Sequence, residues 1–156
     1  MKHSIGPELR RRWRLLAATA AGRWLFSKVL GRRVPYTGTL GARVEQLAPG
    51  HCRVALDDRR AVRNHLQSIH AMALANLGEM VTGLALMNSL PEQARGILTR
   101  FEMDYLKKAR GKLVAECHCE VPVDNTEREY TLNGDILDAS GDVVAVARAC
   151  WRVGPE

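Results

Sequence analysis

Hydrophobic and polar positions follow two different periods along the chain. Residues 68–88 are almost continuously apolar, and this run predicts a long buried helix that ends before Pro91. Shorter stretches in which every second residue is apolar predict β-strands. These strands are expected at residues 36–47, 51–57, 97–106, 112–121, 127–137 and 143–152. Two strands, a helix and four strands joined by short turns predict an antiparallel α+β domain.

The N-terminal segment shows a helical period within a basic sequence. Pro7 suits a helix start and Gly31 a helix stop, so one amphipathic helix is predicted over residues 7–30. Its apolar positions recur every three or four residues, at Leu9, Trp13, Leu16, Ala20 and Trp24. The helix either packs on the body through its tryptophans or lies on an anionic membrane surface. Because it has no fully apolar face, packing on the body is favoured.

Length and charge define the organisation further. A chain of 156 residues is long enough for one domain with a sizeable core. The net charge of +6 would suggest a nucleic-acid partner, but it is unevenly distributed. Residues 1–33 hold nine of the 23 basic residues and one acid, whereas residues 34–156 hold 14 bases and 16 acids. We therefore divide the chain into a basic helix, 1–33, and a nearly neutral domain, 34–156, and expect no nucleic-acid partner.

The cysteines indicate reduced thiols. Four cysteines are too few for a disulfide scaffold at this length, and nothing marks the chain as secreted, so a cytoplasmic protein is expected. Cys117-His118-Cys119 could suggest a metal site. The usual zinc pattern spaces paired cysteines by at least two residues and needs further ligands. A buried pair on one face of a strand is favoured, and no metal site is predicted.

One carboxylate stands out within the apolar helix. Glu79 is the only formally charged residue between positions 64 and 91. A buried carboxylate takes up a proton more readily, and its raised pKa suits acid/base chemistry. Alternatively, Glu79 reaches a polar pocket or a basic partner such as Arg95 or Arg100. Three neighbours on the same helical face could line an opening with it: Met72, Asn76 and Gly83.

The segment before Glu79 resembles a known motif. Asn64, His70-Ala71-Met72 and Glu79 resemble the Asn, His-Gly-Gly and Asp pattern of hotdog-fold acyl-CoA thioesterases of the phenylacetyl-CoA thioesterase-like branch. The spacings of six and nine residues match, and residues 101–109 resemble that branch's strand after the helix. The segments 23–26 and 105–110 are still more similar to a poorly characterised bacterial group of hotdog-like proteins. The resemblance implies a hotdog fold, in which an antiparallel sheet wraps around a long helix.

The resemblance also implies roles for these residues. Glu79 would activate water or attack the thioester, and the Ala71 N–H at the helix N-terminus would stabilise the oxyanion. Asn64 would orient the water or the carbonyl, and His70 would fix the turn or act directly. The chain departs from the family where Ala71 and Met72 replace two glycines, and Met72 is expected to narrow or reshape the approach to the thioester.

Coenzyme A would enter as part of the substrate, with no further cofactor. Its phosphates need basic donors, and the candidates follow the strand after the helix: Lys107, Lys108 and Arg110. The alternative for these three residues is a solvated strand end. An acyl-CoA thioesterase is the function predicted from the sequence, and the alternative is a non-catalytic acyl-CoA or lipid-binding hotdog protein.

The spacing along the helix predicts an oligomer. Ala71 and Glu79 are eight residues apart, or roughly 12 Å along a helix axis. One chain can hardly place both on a single carbonyl. If both act, each site combines Ala71 of one protomer with Glu79 of another, which agrees with the homodimer or dimer of dimers that the resemblance implies.

Overall fold

The computed structural model describes residues 4–155, which form a helical N-terminal segment followed by a mixed domain. Four α-helices and a short 3-10 helix at Arg60–Val62 are present in this part of the chain. The α-helices are α1 (Ile5–Leu16), α2 (Ala20–Arg33), α3 (Pro35–Gly38) and α4 (Ala71–Met87). No helix among these residues has the length and apolar character needed to span a membrane.

Within the described residues, six antiparallel strands form one sheet in the order β1-β2-β4-β5-β6-β3. The strands are β1 (Arg43–Ala48), β2 (His51–Leu56), β3 (Ala94–Tyr105), β4 (Leu113–His118), β5 (Arg128–Leu137) and β6 (Val143–Pro155). The apolar helix α4 packs against all six strands, and their inward side chains bury it. This arrangement confirms the hotdog fold expected from the sequence.

Small residues allow α4 to lie close to the sheet. A β-carbon added at Gly78 would stand 2.5 Å from Cβ of Ala147 on β6, which is far inside van der Waals contact. Around this point the side chains of Leu77, Val81 and Ile136 are fully buried. The stripe of small residues on α4 therefore sets the distance between helix and sheet.

Replacing Gly78 should test this close approach. Gly78→Ala is expected to destabilise the fold, because overpacking costs about 1–3 kcal/mol and outweighs the roughly 1 kcal/mol gained in helix propensity. Urea unfolding measures the loss. Gly96→Ala is the control, since the atom its β-carbon would meet is Cε of Met87, the end of a flexible side chain. Equal losses in the two variants would contradict the account.

The helix predicted over residues 7–30 is in fact two helices. The chain leaves α1 after Leu16, and the Thr19 side chain accepts a hydrogen bond from the Gly22 N–H at 3.0 Å, which caps α2. A threonine in this position is a helix-start signal that the longer apolar period obscured. The segment packs on the body through Leu9 and Phe26, whose side chains are buried, as the favoured interpretation expected. Trp24 does not take part, since it is half exposed beside Lys28.

The first strand also starts later than expected. Residues 36–47 were predicted as one strand, but Pro35–Gly38 forms a helical turn and β1 begins at Arg43. Pro35 occupies the start of this turn, where its fixed φ favours helix. Gly41 then takes a φ of +62°, which turns the chain toward the sheet. At the other end of the fold, β3 begins at Ala94, three residues before the predicted start.

Candidate active site

Glu79 lines a small apolar cavity between the N-terminal helices, α4 and the sheet. The cavity has a volume of about 130 Å³ and lies on the side of α4 that α1, α2 and α3 cover. Within residues 4–155, Glu79 is its only ionisable lining residue. The other lining residues are Ile5, Leu9, Leu30, Val34, Thr37, Met80, Gly83, Leu84, Met87 and Trp151.

Burial in this cavity raises the pKa of the Glu79 carboxyl above its ordinary value of 4.5. The cause is desolvation, which penalises the charged form. The described residues include no ion pair to Glu79, and Arg100 is instead paired with Glu102 on the same strand. The alternative prediction of an arginine partner is therefore wrong for both Arg95 and Arg100. Among residues 4–155, Glu79 is therefore a partly buried carboxyl group without a basic partner.

Of the three neighbours expected beside Glu79, Gly83 lies in the cavity. A β-carbon at Gly83 would stand 3.6 Å from Glu79 Oε1 and 3.2 Å from the Trp151 ring, so glycine keeps this space open. Asn76 is buried and its Nδ2 donates to the Tyr36 carbonyl at 3.4 Å, which ties α4 to α3. Met72 is 57% exposed at the N-terminal end of α4. Neither Asn76 nor Met72 lines the cavity within one chain.

The N-terminus of α4 leaves one backbone donor free. The N–H of Met72 donates to His70 Nδ1 at 3.0 Å, and the N–H groups of Ala73 and Leu74 donate to the His70 carbonyl. For the Ala71 N–H no acceptor occurs among residues 4–155, and Ala71 is exposed. Its carbonyl accepts from the Tyr105 hydroxyl at 3.0 Å. This free N–H lies at the positive end of the helix dipole, where an anion is stabilised.

Asn64 organises the loop that leads into α4. Its Oδ1 accepts from the Leu66 N–H at 2.9 Å and from both the backbone N–H and the hydroxyl of Ser68 at 3.2 Å. These bonds hold a tight loop in which Gln67 has a φ of +56°. Asn64 is thus engaged with its own loop and reaches Glu79 neither directly nor through a shared partner. Its role in orienting water or substrate remains a prediction.

His70→Ala should reveal how much the cap contributes. Losing a side-chain cap typically costs about 0.5–2 kcal/mol, so the midpoint of urea unfolding is expected to fall. His70→Asn should recover most of that stability, because an asparagine oxygen also caps helices well. If His70→Ala unfolds at the same midpoint as the unsubstituted chain, the Nδ1 contact contributes nothing to the fold.

The basic candidates divide into two kinds. Lys107 is held by Asp138 at 2.8 Å and by Asp142 at 2.7 Å, and these bonds raise the pKa of its ammonium group. Lys108 and Arg110 are exposed and form no ion pair within residues 4–155. The Ala109 carbonyl between them accepts from the Ile69 N–H at 2.8 Å. Lys108 and Arg110 therefore flank the loop that enters α4.

Trp151 is a site residue that the sequence pattern did not single out. It lies on β6, is 5% exposed, and its Nε1–H has no hydrogen-bond partner among the described residues. The alternation on β6 identifies it only as a core position. Its place beside Gly83 and Glu79 depends on strand order, which no local signal encodes. The same holds for Ile5 and Leu9 of α1, which close the cavity from the other side.

Known proteins place the fold in a wider group. A structural-genomics protein is 23% identical over 96% of this chain and 99% of its own, with a TM-score of 0.81. A protein of unknown function from Pseudomonas aeruginosa, described as a probable thioesterase, is 21% identical over 83% of this chain and 93% of its own, with a TM-score of 0.75. A thioesterase family protein from Silicibacter pomeroyi is 19% identical over 83% of this chain and 96% of its own, with a TM-score of 0.71. These similarities show the hotdog fold.

Sequence comparison defines the family. No curated protein matches the chain. The model of a domain of unknown function, DUF4442, matches residues 22–153, from α2 to the end of the sheet. The chain therefore belongs to the DUF4442 family.

Proposed function

We propose that the protein hydrolyses an acyl-CoA thioester with Glu79 as its catalytic carboxylate. The observation that carries the proposal is Glu79 itself, a single ionisable group among the described residues of an otherwise apolar cavity. Burial raises its pKa, which brings a general base closer to working pH. The thioesterase descriptions of the Pseudomonas and Silicibacter structures support the same reaction class.

In the proposed reaction Glu79 accepts a proton from a water molecule as the water oxygen attacks the thioester carbon. The Ala71 N–H donates to the carbonyl oxygen as that oxygen becomes negative. When the tetrahedral intermediate collapses, the carbon–sulfur bond breaks and the proton passes from Glu79 to the leaving sulfur. The products are a carboxylic acid and coenzyme A. A direct attack by the Glu79 carboxylate would break the carbon–sulfur bond, release coenzyme A as its thiolate and give an anhydride. Water then hydrolyses the anhydride, and the proton set free in that step neutralises the thiolate.

A shared site between two protomers fits the positions of these groups. Eight residues separate Ala71 from Glu79, or roughly 12 Å along α4. Strand β3 is an edge of the sheet, so one side of its backbone is unpaired among residues 4–155, and Ile97 and Tyr105 on it are about half exposed. Tyr105 also contacts Ala71, so a partner that pairs along β3 would lie beside the free N–H. We therefore propose a homodimer, or a dimer of dimers, with sites built from both chains.

Coenzyme A would then bind at the entrance to α4. Lys108 and Arg110 are exposed, lie beside this loop and are available to its phosphates, whereas Lys107 is already neutralised by two aspartates. Met72, exposed at the same end of α4, would contact the thioester or the pantetheine arm. The acyl group would extend toward Gly83 and Trp151.

A second candidate is a binding protein without turnover. Ala71 and Met72 stand where the thioesterase motif that the chain resembles has two glycines. An apolar cavity can also hold an acyl chain without catalysing a reaction. Purified protein offered a panel of aryl and fatty acyl-CoAs with a thiol-detecting reagent separates the two candidates. Thiol release with at least one substrate supports hydrolysis. Saturable binding of an acyl-CoA with no thiol release on any of the panel would exclude it.

A further inference from the structure

A group of metal-binding side chains lies on the outer face of the sheet, away from Glu79. His51 on β2 stands directly opposite His118 on β4, and Glu116 precedes His118 by two residues, so all three side chains share one face. His51 Nε2 lies 2.7 Å from Glu116 Oε1, and His118 Nε2 lies 3.6 Å from the same oxygen. One ligand atom from each residue falls within 4.8 Å of the other two.

Neighbouring residues hold this group in place. The two imidazole rings stack with their centroids 4.3 Å apart and an angle of 18° between their planes. Arg53 Nη1 donates to the other carboxylate oxygen of Glu116 at 3.2 Å, which leaves Oε1 directed at the histidines. Glu116 is thus held between His51 on one carboxylate oxygen and Arg53 on the other, which fixes the orientation of the carboxylate.

We propose that His51, Glu116 and His118 bind a divalent transition-metal ion, with Zn²⁺ as the natural occupant of this ligand set. Two imidazole nitrogens and one carboxylate oxygen are ligands that Zn²⁺ accepts at about 2.0–2.2 Å. The ion would take the place of the hydrogen that joins His51 to Glu116. His118 is 73% exposed at its side chain and free to turn its Nε2 toward the ion, whereas His51 is 20% exposed and already positioned.

The number of protein ligands indicates an open metal site. Three protein ligands leave a fourth tetrahedral position for water, unlike the closed sites built from four cysteine or histidine side chains. The ion would link β2 to β4 across the ladder and would stabilise the native state over the unfolded chain. Cys52 and Cys117 alternate onto the opposite, buried face of the same two strands, so their thiols point away from the proposed ion.

The test uses the full chain without an affinity tag. Isothermal titration with Zn²⁺ should show one equivalent bound per chain, and thermal unfolding should shift to higher temperature with added Zn²⁺. Co²⁺ provides a spectroscopic probe, and its visible bands should appear without the near-ultraviolet charge transfer that thiolate ligands produce.

Substitutions locate the ion. His118→Ala is expected to weaken Zn²⁺ binding at least tenfold with little effect on folding, because the side chain is exposed. Glu116→Gln should weaken Zn²⁺ binding to a similar extent. Agreement between the two variants shows that the loss of binding does not come from misfolding of one of them. His65→Ala, an exposed histidine in the loop before α4, is the control and should bind as the unsubstituted chain does. No binding in the unsubstituted chain, or unchanged binding in both His118→Ala and Glu116→Gln, would overturn the proposal.

Discussion

Glu79→Gln is expected to lower kcat for acyl-CoA hydrolysis by about 10²–10⁴-fold, the contribution that a positioned general base typically makes. The glutamine has nearly the same shape as the glutamate and leaves the shape of the cavity unchanged, but it cannot accept the proton from water. KM should change little, because Glu79 acts on the reacting atoms and lies in an otherwise apolar cavity. Initial rates with the best substrate of the acyl-CoA panel measure the loss.

The dependence on pH provides an independent check. The rate of the unsubstituted enzyme should rise with pH as Glu79 ionises, with a midpoint above 4.5, because burial raises its pKa. Stability should change in the opposite direction. The folded state holds the Glu79 proton more tightly than the unfolded chain, so this group's contribution falls as pH rises from the unfolded pKa through the folded one. Glu79→Gln should therefore be at least as stable as the unsubstituted chain at neutral pH and lose that advantage below pH 4.5.

Glu92→Gln is the matched control, since it removes the same charge at an exposed position. It should leave both kcat and the pH profile unchanged. Turnover by Glu79→Gln equal to that of Glu92→Gln would exclude Glu79 as the catalytic group and leave the apolar cavity as a binding site. A lower rate in Glu79→Gln together with a lower unfolding midpoint would instead indicate a structural role.

The sequence predicted those features of the fold that depend on local periodicity. The apolar run gave α4, alternation gave the strands, and the isolation of Glu79 in that run identified the carboxylate that lines the cavity. What it could not predict depends on contacts between distant segments. Arg10 is one of the nine basic residues of the N-terminal segment, yet its guanidinium donates to the carbonyl of Asn88, the C-cap of α4, and to that of Leu90 at 3.0 Å.

The same reason limits prediction of the site. The side-chain oxygen of Asn64 is engaged by Leu66 and Ser68 of its own loop, and the expected role of Asn64 at the substrate stays a prediction. Lys107 looks like a phosphate ligand in the sequence, and only the turn between β5 and β6 brings Asp138 and Asp142 against it. A motif records which residues are near each other in the chain. Their partners across the fold decide which of them remain free to act.

The Ala71 N–H can be removed without disturbing the helix that carries it. Ala71 is the first residue of α4, where proline is well tolerated, and His70 before it has φ −64° and ψ 140°, the extended conformation that a following proline requires. Ala71→Pro is therefore expected to unfold at nearly the same midpoint as the unsubstituted chain. Its kcat should fall by about 10²–10³-fold, as it does when one oxyanion donor is lost. Ala71→Gly, which retains the N–H, should keep most of the activity. A fully active proline variant would show that this N–H does not contact the substrate oxygen.

Mixing two inactive variants decides whether the site is shared. If each site combines Ala71 of one protomer with Glu79 of its partner, a heterodimer of Ala71→Pro and Glu79→Gln has one site with both changes and one site with neither. Random pairing of equal amounts makes half of the dimers hetero, so co-refolding should restore about a quarter of the unsubstituted activity. Sites built within single chains would each keep one defect, and mixing would restore nothing. Light scattering on the same samples must show dimers or larger assemblies, because a monomer in solution is incompatible with a shared site.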